Sequence, residues 1–367
     1  MASPVHAKRI DWLVIGPVIY LTGISLVVLK SIELTTKTPL DFSFSTQITA
    51  AALALAMIVI IVRSQDLLLR SGLYLYLASL VLLVIVLLYG DVSGGAKRWV
   101  EVGSWQFQPS ELAKLSLILV QAKLLVTRRH SLNTPWPLFL SVFYLLPTVW
   151  LVLAQPDLGT VVILIAVWLG MLFMSDLPKR TFVLLLGLVL LVVPASYPFL
   201  ADYQRQRIDS FFNPSLSTQA EGYNALQATI AVGSGGFIGR GLDSGTQSQL
   251  NFLPSQHTDF IFAVISEKLG FLGALSLILA FATLLIRLIY LSWQSGSQAV
   301  RLVGIGVVAT IGLQFLINVG MNLGLAPVTG VPLPFVSGGG THVVVESIMV
   351  GLVLGLAAAG RHHLYRR

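Results

Sequence analysis

Long apolar runs separated by short polar segments dominate this sequence. A transmembrane helix needs about 20 mostly apolar residues, and only helices and closed barrels satisfy their backbone hydrogen bonds in lipid. The runs are too long and too continuously apolar for barrel strands, which alternate apolar and polar residues. The pattern predicts an all-α integral membrane protein, a single domain over 1–367 with about ten transmembrane helices at roughly 12–30, 46–62, 71–90, 109–127, 137–154, 158–175, 181–199, 260–290, 301–322 and 342–359.

The eighth run is longer than the others. It extends from Phe260 to Leu291, which exceeds the thickness of one bilayer. We therefore expect this helix to be tilted, bent or extended beyond the membrane.

Basic residues in the short connections orient the spans. If the spans alternate in direction, these residues collect on one side, which the positive-inside rule assigns to the cytoplasm. Both termini are then predicted to be cytoplasmic. The residues concerned are Lys8, Arg9, Arg63, Arg128, Arg129, Lys179, Arg180, Arg287, Arg301, Arg361, Arg366 and Arg367.

Composition agrees with a membrane protein. Hydrophobic residues make up 55% of the chain and charged residues 11%, against about 25% charged residues in soluble domains. The net charge of +7 is explained by the basic loops, so we expect no nucleic-acid partner. There is no cysteine, which excludes disulfides and thiolate metal sites. The first run lacks a small-residue cleavage site, so no cleavable signal peptide is expected.

The opposite side holds the longer connections. They are Asp91–Gln108, the turn "AQPDLGT", about 60 residues from Leu200 to Asp259, and "LAPVTGVPLPFVSGGGTH". Long loops are usually functional or disordered. The large extracytoplasmic loop, about 200–259, carries apolar residues at helical spacing, so we expect short helices in it between spans seven and eight.

Asp259 lies where the large loop becomes an apolar helix. One interpretation is structural: Ser255 or Thr258 caps the helix, and Asp259 complements the helix dipole. The other is a carboxylate beside apolar walls, which raise its pKa toward the range of a general base. His257 fits an ordinary loop residue equally well, because a His-x-Asp sequence has little specificity.

Glu111 and Lys114 lie three residues apart at the start of the fourth span. At that spacing they share a helix face and can form an ion pair. Ionisable residues within a membrane usually mark a functional site, and the alternative is a paired or snorkelling structural contact. Pro109 and Ser110 fit the first turn of this helix.

Two further motifs are candidates for binding an anion. Lys97 and Arg98 lie on the outer side, against the positive-inside trend, where they suit a pyrophosphate. Trp99 beside them fits either an interfacial residue or a surface for a sugar or lipid head group. The glycines of "VSGGGTH" precede a helix, and such an amide-rich loop can bind phosphate, although glycines also permit tight turns. Glu346 lies inside the last span and needs a partner there.

Six segments resemble one family. "QPSELAK", "AQPDLGT", "DYQRQRI", "GSGGFIGRGL", "GTQSQLNFLPSQHTDFIFAVISEKLG" and "PVTGVPLPFVSGGGT" occur in the order found in the SEDS family of peptidoglycan glycosyltransferases. The match covers most of the chain, and "HTDFIFAV" is highly specific. "DYQRQRI" and "GTQSQLNFLP" are more similar to the elongation (RodA) branch than to the division (FtsW) branch.

The resemblance implies a bacterial cytoplasmic-membrane enzyme with ten helices. It would polymerise lipid II into β-1,4 glycan strands on the outer face during cell elongation and shape maintenance. The implied partners are a class B penicillin-binding transpeptidase and other elongation-complex proteins. No cofactor is certain, although a divalent cation (Mg or Mn) is a candidate.

The resemblance also implies roles for particular residues. The essential carboxylate of the family falls on Asp259, which would be the catalytic general base. The other implied residues would bind substrate, and they are Lys97, Arg98, Trp99, Glu111, Lys114, Arg205, Arg207, His257, Thr258 and Ser337. One departure stands out: Gly338 replaces a tyrosine typical of the family, and Thr341–His342 replace two small residues.

Two other functions fit the pattern in part. A lipid II flippase or other transporter would also have ten helices, but it should show pseudo-repeated halves and helices broken at the midplane. No such repeat is evident in the sequence. A scaffold without activity, which only holds a transpeptidase, is the third possibility. The collection of polar residues on one face favours an enzyme over both.

Overall fold

A computed structural model of the protein describes residues 11–35, 44–93, 96–102, 105–212, 220–243, 253 and 255–364. These residues contain twelve α-helices and three short strands, with single 3₁₀ turns at Arg129–Ser131 and Tyr197–Phe199. The helices are α1 (Trp12–Thr35), α2 (Phe44–Arg70), α3 (Gly72–Tyr89), α4 (Pro109–Thr127), α5 (Pro135–Ala154), α6 (Leu158–Phe173), α7 (Lys179–Ala195), α8 (Asp202–Phe212), α9 (Ala220–Ser234), α10 (Ile261–Gln294), α11 (Gln298–Asn322) and α12 (Gly340–Leu364).

The helices agree with an integral membrane protein. In the part of the chain that the structure describes, seven helices are long and apolar enough to cross a membrane, namely α1, α2, α3, α5, α10, α11 and α12. Helix α6 is a shorter apolar helix. Helices α4 and α7 occupy the two remaining predicted spans. Helix α4 is less apolar because it carries Glu111, Lys114 and Lys123.

The connection between α3 and α4 differs from the prediction of an all-α chain with a loop here. It forms a small antiparallel sheet in the order β1 (Asp91–Ser93), β2 (Ala96–Val102), β3 (Trp105–Phe107). Asp91 is opposite Trp99, and Val100 is opposite Phe107. Aromatic and β-branched residues favour strands, but segments this short give too little alternation to be recognised in the sequence.

Helix α10 is bent, as its length predicted. Its 34 residues are interrupted at Gly270, where φ is 68° and ψ is −165°. A side chain at this position would be strained by the positive φ, and its Cβ would lie 2.2 Å from the backbone nitrogen of Gly239. Glycine therefore permits both the bend and the close approach of the segment that follows α9.

The helices differ in how deeply they are buried, with α4 at the centre of the bundle and α7 at its periphery. Helix α4 is buried on nearly all sides, between α3, α5 and α11. Helices α2 and α12 approach closely where Gly351 and Gly355 face Ile58 and Gln65, as small residues allow between membrane helices. Helix α7 has no buried residue along its length. It lies at the periphery, and this leaves space between α6 and α7.

The sheet, α8, α9 and the loop 323–339 lie at one end of the bundle, which we call the site end. Strand β2 contacts α3 and α4, and strand β3 contacts α12. Helix α9 packs against α10 and α11, and α8 packs against α9. Helices α8 and α9 are the short helices predicted between spans seven and eight.

Candidate functional site

Asp259 lies in a tight turn at residues 255–260, immediately before α10. The carbonyl of Ser255 accepts hydrogen bonds from the amides of Thr258 and Asp259, both at 3.1 Å. The helix begins after Phe260, and no side chain caps it. The prediction that Ser255 or Thr258 caps the helix is therefore wrong, and Asp259 lies before the first turn instead of within it. The Asp259 carboxylate is held outside the helix by the turn.

Two asparagines of α11 form hydrogen bonds to the backbone of this turn. The side-chain amides of Asn318 and Asn322 donate to the carbonyl of Asp259 at 3.1 and 3.0 Å. Asn322 also accepts from the amide of Ala263 at 3.1 Å. Both asparagines are fully buried, so these bonds are shielded from competing water. They fix the backbone that carries the carboxylate.

The loop before α12 supports the same turn. The Ser337 hydroxyl donates to the carbonyl of Thr258 at 2.6 Å and accepts from the amide of Leu333 at 2.8 Å. The amide of Gly338 donates to the carbonyl of His257 at 2.6 Å. Ser337 is fully buried. Thus Ser337, His257 and Thr258 form a brace for Asp259, and their contacts here are with the protein.

Glu346 has a hydrogen-bond partner inside the protein, as expected from the sequence. Its Oε2 accepts a hydrogen bond from the amide of Phe335 at 2.9 Å. Phe335 has a φ of 60°, which is uncommon for a residue with a side chain. The buried carboxylate therefore holds the loop in a conformation that Phe335 would not otherwise favour.

Arg98 reaches from β2 to the connection between α5 and α6. It donates to the carbonyls of Gln155 and Pro156, and its Nη1 lies 3.9 Å from Oδ1 of Asp157. Asp157 caps α6 through the amide of Thr160 at 3.2 Å. A Cβ on Gly330 would lie 3.6 Å from both Arg98 Nη1 and Asp259 Oδ2. The guanidinium and the Asp259 carboxylate thus approach the same side of Gly330.

The charges around Asp259 act on it in opposite directions. Removal from water raises the pKa of Asp259 above its ordinary value, and this effect is the largest. The positive charges of Arg207 and Arg98 oppose the rise in that order, and the nearby negative charge of Asp157 adds to it. The result is a carboxylate with a raised pKa next to two cations, which is the environment of many catalytic bases.

A cavity of about 700 Å³ opens beside these charges, between α6, α7, α8 and the loop before α12. Its walls are mainly apolar, with Leu158, Val162, Val193, Leu200, Ile208 and Phe212 among the lining residues. Arg207 and Thr329 also line it. Its size falls within the usual range for ligand pockets, which is about 300–1,000 Å³. The cavity therefore extends from an apolar space at the periphery of the bundle to Arg207 and to Thr329, the residue before Gly330.

Other predicted residues lie near the site without lining the cavity. Arg205 donates to the carbonyl of Pro198 and lies 3.9 Å from Asp202. Trp99 is half-buried in β2, opposite Asp91. Lys97 is paired with Val92 in the same sheet, and its side chain lies outside the described part of the structure.

Glu111 and Lys114 form the predicted ion pair, with Nζ and Oε1 2.8 Å apart. Both side chains are almost completely buried, at 1% and 2% exposure for Lys114 and Glu111. With its amide oriented to satisfy both neighbours, Gln314 accepts from Lys114 at 2.8 Å. Glu346 is close enough to interact electrostatically with both members of the pair. The pair thus belongs to a buried polar cluster within the bundle, and it does not line the cavity.

This cluster has unused hydrogen-bonding capacity. Among the described residues, five of its polar atoms have no hydrogen-bond partner in the protein: Ser110 Oγ, Glu111 Oε2, His342 Nε2, Glu346 Oε1 and Ser347 Oγ. Buried polar groups are normally satisfied, so a concentration of five distinguishes this cluster from ordinary helix packing.

The sequence reasoning missed several residues of the site. Asn318 and Asn322 are four residues apart in an apolar helix, and this spacing was a signal that they share one face. Asp157 was visible in "AQPDLGT" as an acidic residue before an apolar run. Gly330 gave no signal, because its importance depends on two side chains that approach it from distant segments.

These features define a polytopic membrane protein with an apolar cavity lined by Arg207. The half-buried carboxylate of Asp259 and a second arginine, Arg98, lie beside Gly330 in the adjoining loop. The family model described as "Cell cycle protein" (FtsW, RodA, SpoVE) matches residues 11–362. The chain belongs to this family.

Curated relatives and solved structures agree with this assignment. The peptidoglycan glycosyltransferase MrdB of Escherichia coli (strain K12) is 39% identical over 287 residues, which cover 77% of this chain and 76% of MrdB. A probable peptidoglycan glycosyltransferase FtsW of Thiomicrospira cyclica is 38% identical over 302 residues, covering 80% and 76%.

Two solved structures have the same fold. A chain from work titled "Structural coordination of polymerization and crosslinking by a peptidoglycan synthase complex" superposes with a TM-score of 0.81 at 31% identity, covering 96% of this chain and 99% of the other. The rod shape determining protein RodA of Thermus thermophilus gives a TM-score of 0.70 at 29% identity, covering 95% and 97%.

Proposed function

We propose that this protein is a peptidoglycan glycosyltransferase that polymerises lipid II during cell elongation. The observation that carries the proposal is an apolar cavity lined by Arg207 and Thr329, with the Asp259 carboxylate and Arg98 beside the adjoining Gly330. Lipid II combines a polyprenyl chain, a pyrophosphate and a disaccharide. The site offers an apolar space, cations and a base for these three parts. The names of the relatives support the same activity.

The chemistry requires one base and no covalent sugar intermediate. Lipid II carries its sugar on pyrophosphate in the α configuration, and the glycan product is β-1,4 linked, so one inversion occurs. In a single displacement, Asp259 takes the proton from the 4-hydroxyl of the acceptor as its oxygen attacks the anomeric carbon of the donor. The bond from that carbon to the pyrophosphate oxygen breaks, and the pyrophosphate leaves with both electrons. Its negative charge is stabilised by Arg207 and Arg98.

The proposed substrate orientation follows from the walls of the cavity. The apolar lining beside the peripheral helix α7 suits the polyprenyl chain, which enters from the lipid. Arg207, at the other end of this lining, then meets the pyrophosphate. Arg205 does not line the cavity, so we assign it a weaker electrostatic role. Lys97 stays a candidate for binding the pyrophosphate. His257, Thr258 and Ser337 hold Asp259 in place.

A divalent cation, Mg or Mn, is proposed to enter only with the substrate. No group of three His, Asp or Glu side chains suited to a metal occurs among the described residues. A cation would therefore depend on the pyrophosphate oxygens for most of its ligands. No step of the displacement above is derived through it.

The proposed orientation places ten spans in the cytoplasmic membrane, with both termini in the cytoplasm and the site end outside. A reporter fused after Arg367 should report the cytoplasm, and one inserted near Ser217 should report the outer side. The basic connections give this result by the positive-inside rule. Activity of a periplasmic reporter at Arg367, or of a cytoplasmic one at Ser217, would contradict the ten-span topology. Position 217 and residues 365–367 lie outside the described residues.

The activity itself is tested with labelled lipid II and the purified protein, alone and with a class B penicillin-binding transpeptidase. We expect glycan strands, and we expect the two proteins to purify together from membranes. Full activity alone, with no co-purification in mild detergent, would exclude an obligate complex. Absence of polymer in both samples, with lipid II moved across vesicles, would favour the flippase. Repeating the assay with EDTA tests the cation.

A further inference from the structure

A second concavity shares Arg207 with the large cavity. It is a groove of about 180 Å³ between α8, α9 and the segment Gly324–Val328. Arg207, Pro327 and Val328 line both spaces. The two spaces therefore share these three lining residues, and both adjoin the arginine whose charge has the largest effect on the pKa of Asp259.

The groove is lined by four small residues, three polar residues and four larger apolar residues. The small lining residues leave room for a ligand, and they are Gly222, Ala225, Gly324 and Ala326. Phe211 provides an aromatic surface. The helices that form it belong to the site end, away from the apolar lining beside α7. This composition suits a sugar ring, which combines C–H faces for an aromatic surface with hydroxyls around its edge.

The polar groups of the groove are complementary to sugar hydroxyls. The Ser210 hydroxyl donates to the carbonyl of Arg207 at 3.1 Å, and the Thr229 hydroxyl donates to the carbonyl of Ala225 at 3.0 Å. Each hydroxyl proton is engaged, so each oxygen is left to accept from a ligand O–H group. The guanidinium of Arg207 can donate to a sugar oxygen.

The path from the groove to the base is short along the chain. Val328 lies in the groove wall, and Gly330, two residues later, is beside the Asp259 carboxylate. A sugar in the groove therefore lies beside the segment that also lines the large cavity and adjoins the Asp259 carboxylate. A displacement needs two adjoining spaces, because the attacking hydroxyl and the leaving group are on opposite sides of the anomeric carbon.

We propose that this groove binds the terminal N-acetylated sugar of the acceptor, while the large cavity binds the donor. The proposal rests on the proposed glycosyltransferase function and assigns its two substrates to different spaces. The terminal sugar is the part of the acceptor farthest from its own lipid, which fits a groove made by the outer helices.

The test separates donor from acceptor with two substrate analogues. A lipid II whose terminal 4-hydroxyl is blocked serves only as donor. A lipid II with a non-cleavable phosphonate in place of the anomeric phosphate ester serves only as acceptor. The pair forms one glycosidic bond, and its rate is measured while each analogue is varied. In the variant Ala225→Trp, the indole fills the groove. The matched control Ile230→Trp adds the same ring to an exposed position of α9 outside the groove.

We expect Ala225→Trp to raise the KM for the acceptor analogue by about tenfold or more, equivalent to about 1.4 kcal/mol. The KM for the donor analogue should change less than about twofold, and Ile230→Trp should leave both unchanged. An unchanged acceptor KM, or an equal rise in both KM values, would overturn the assignment of the groove. A wild-type protein that forms no bond from the pair would instead refute the proposed function.

Discussion

Replacing Asp259 with Asn should reduce polymerisation of lipid II by about 10²–10⁴-fold, the usual contribution of a positioned general base. Asn is nearly isosteric, and the bonds that fix residue 259 come from its backbone carbonyl and amide. The variant should therefore fold, insert and bind lipid II normally. The measurement is the polymerisation rate of the purified variant, with lipid II binding measured in parallel.

Asp202→Asn is the matched control for this variant. Asp202 lies on α8 at the site end, its side chain is 94% exposed, and it does not line the cavity. The same chemical change there should leave the rate within about twofold of the wild type, as for most surface substitutions. A wild-type rate for Asp259→Asn would remove Asp259 as the base and reopen the flippase and scaffold functions.

The same assignment gives a pH dependence with a definite sign. A base acts when deprotonated, so kcat/KM should fall as the pH is lowered through the pKa of Asp259. Arg207 holds this pKa down more than any other charge. Arg207→Gln should therefore raise the pKa and move the acid limb of the profile to higher pH, in addition to weakening substrate binding. A limb that stays in place would mean that another group titrates.

Replacing Lys114 with Ala should abolish activity. The change leaves the carboxylate of Glu111 buried without its partner at 2.8 Å, and it removes the positive charge next to Glu346. Breaking a buried pair from one side costs about 3–5 kcal/mol, so the measurement needs the amount of inserted, folded protein as well as the rate. An active Lys114→Ala variant would contradict the prediction.

A double variant separates the two explanations of this loss. Glu111→Leu with Lys114→Met replaces the pair by apolar side chains of similar size, which buried positions often tolerate. If the pair is structural, the double variant should regain activity. If Lys114 contacts the anionic head of the substrate, it should be folded and inactive. Because Lys114 is buried inside the bundle, such a contact would require the cavity to extend toward α4 during the reaction.

The number and position of the long helices were largely determined by the sequence. Apolar runs of about 20 residues have few structural solutions in lipid, and a helix lies in each predicted run. Among the described residues, seven of these helices are long and apolar enough to cross a membrane. Several local features followed equally directly. Pro109 begins α4, and the three-residue spacing brings Glu111 and Lys114 together. The length of α10 predicted a helix that is tilted, bent or extended beyond the membrane, and the structure shows a bend at Gly270.

The site was only partly contained in local patterns. The segment motifs identified Asp259, Arg98 and Arg207 through resemblance to a family, but not their geometry. Whether Asp259 lies in the first turn of the helix or before it depended on a turn of three hydrogen bonds to the carbonyl of Ser255. Local sequence allowed both, since a carboxylate before an apolar helix fits either.

Only the tertiary structure decided how the distant segments meet. Arg98 from the sheet, Gly330 from the last loop and Asp259 from the turn before α10 come together because helix packing brings their connections to one end. The brace by Asn318, the bond from Phe335 to Glu346 and the two spaces beside Arg207 arise in the same way. The physical reason is that the hydrophobicity of each run determines by itself where a helix crosses the membrane. The geometry of a binding site depends on contacts between spans far apart in sequence.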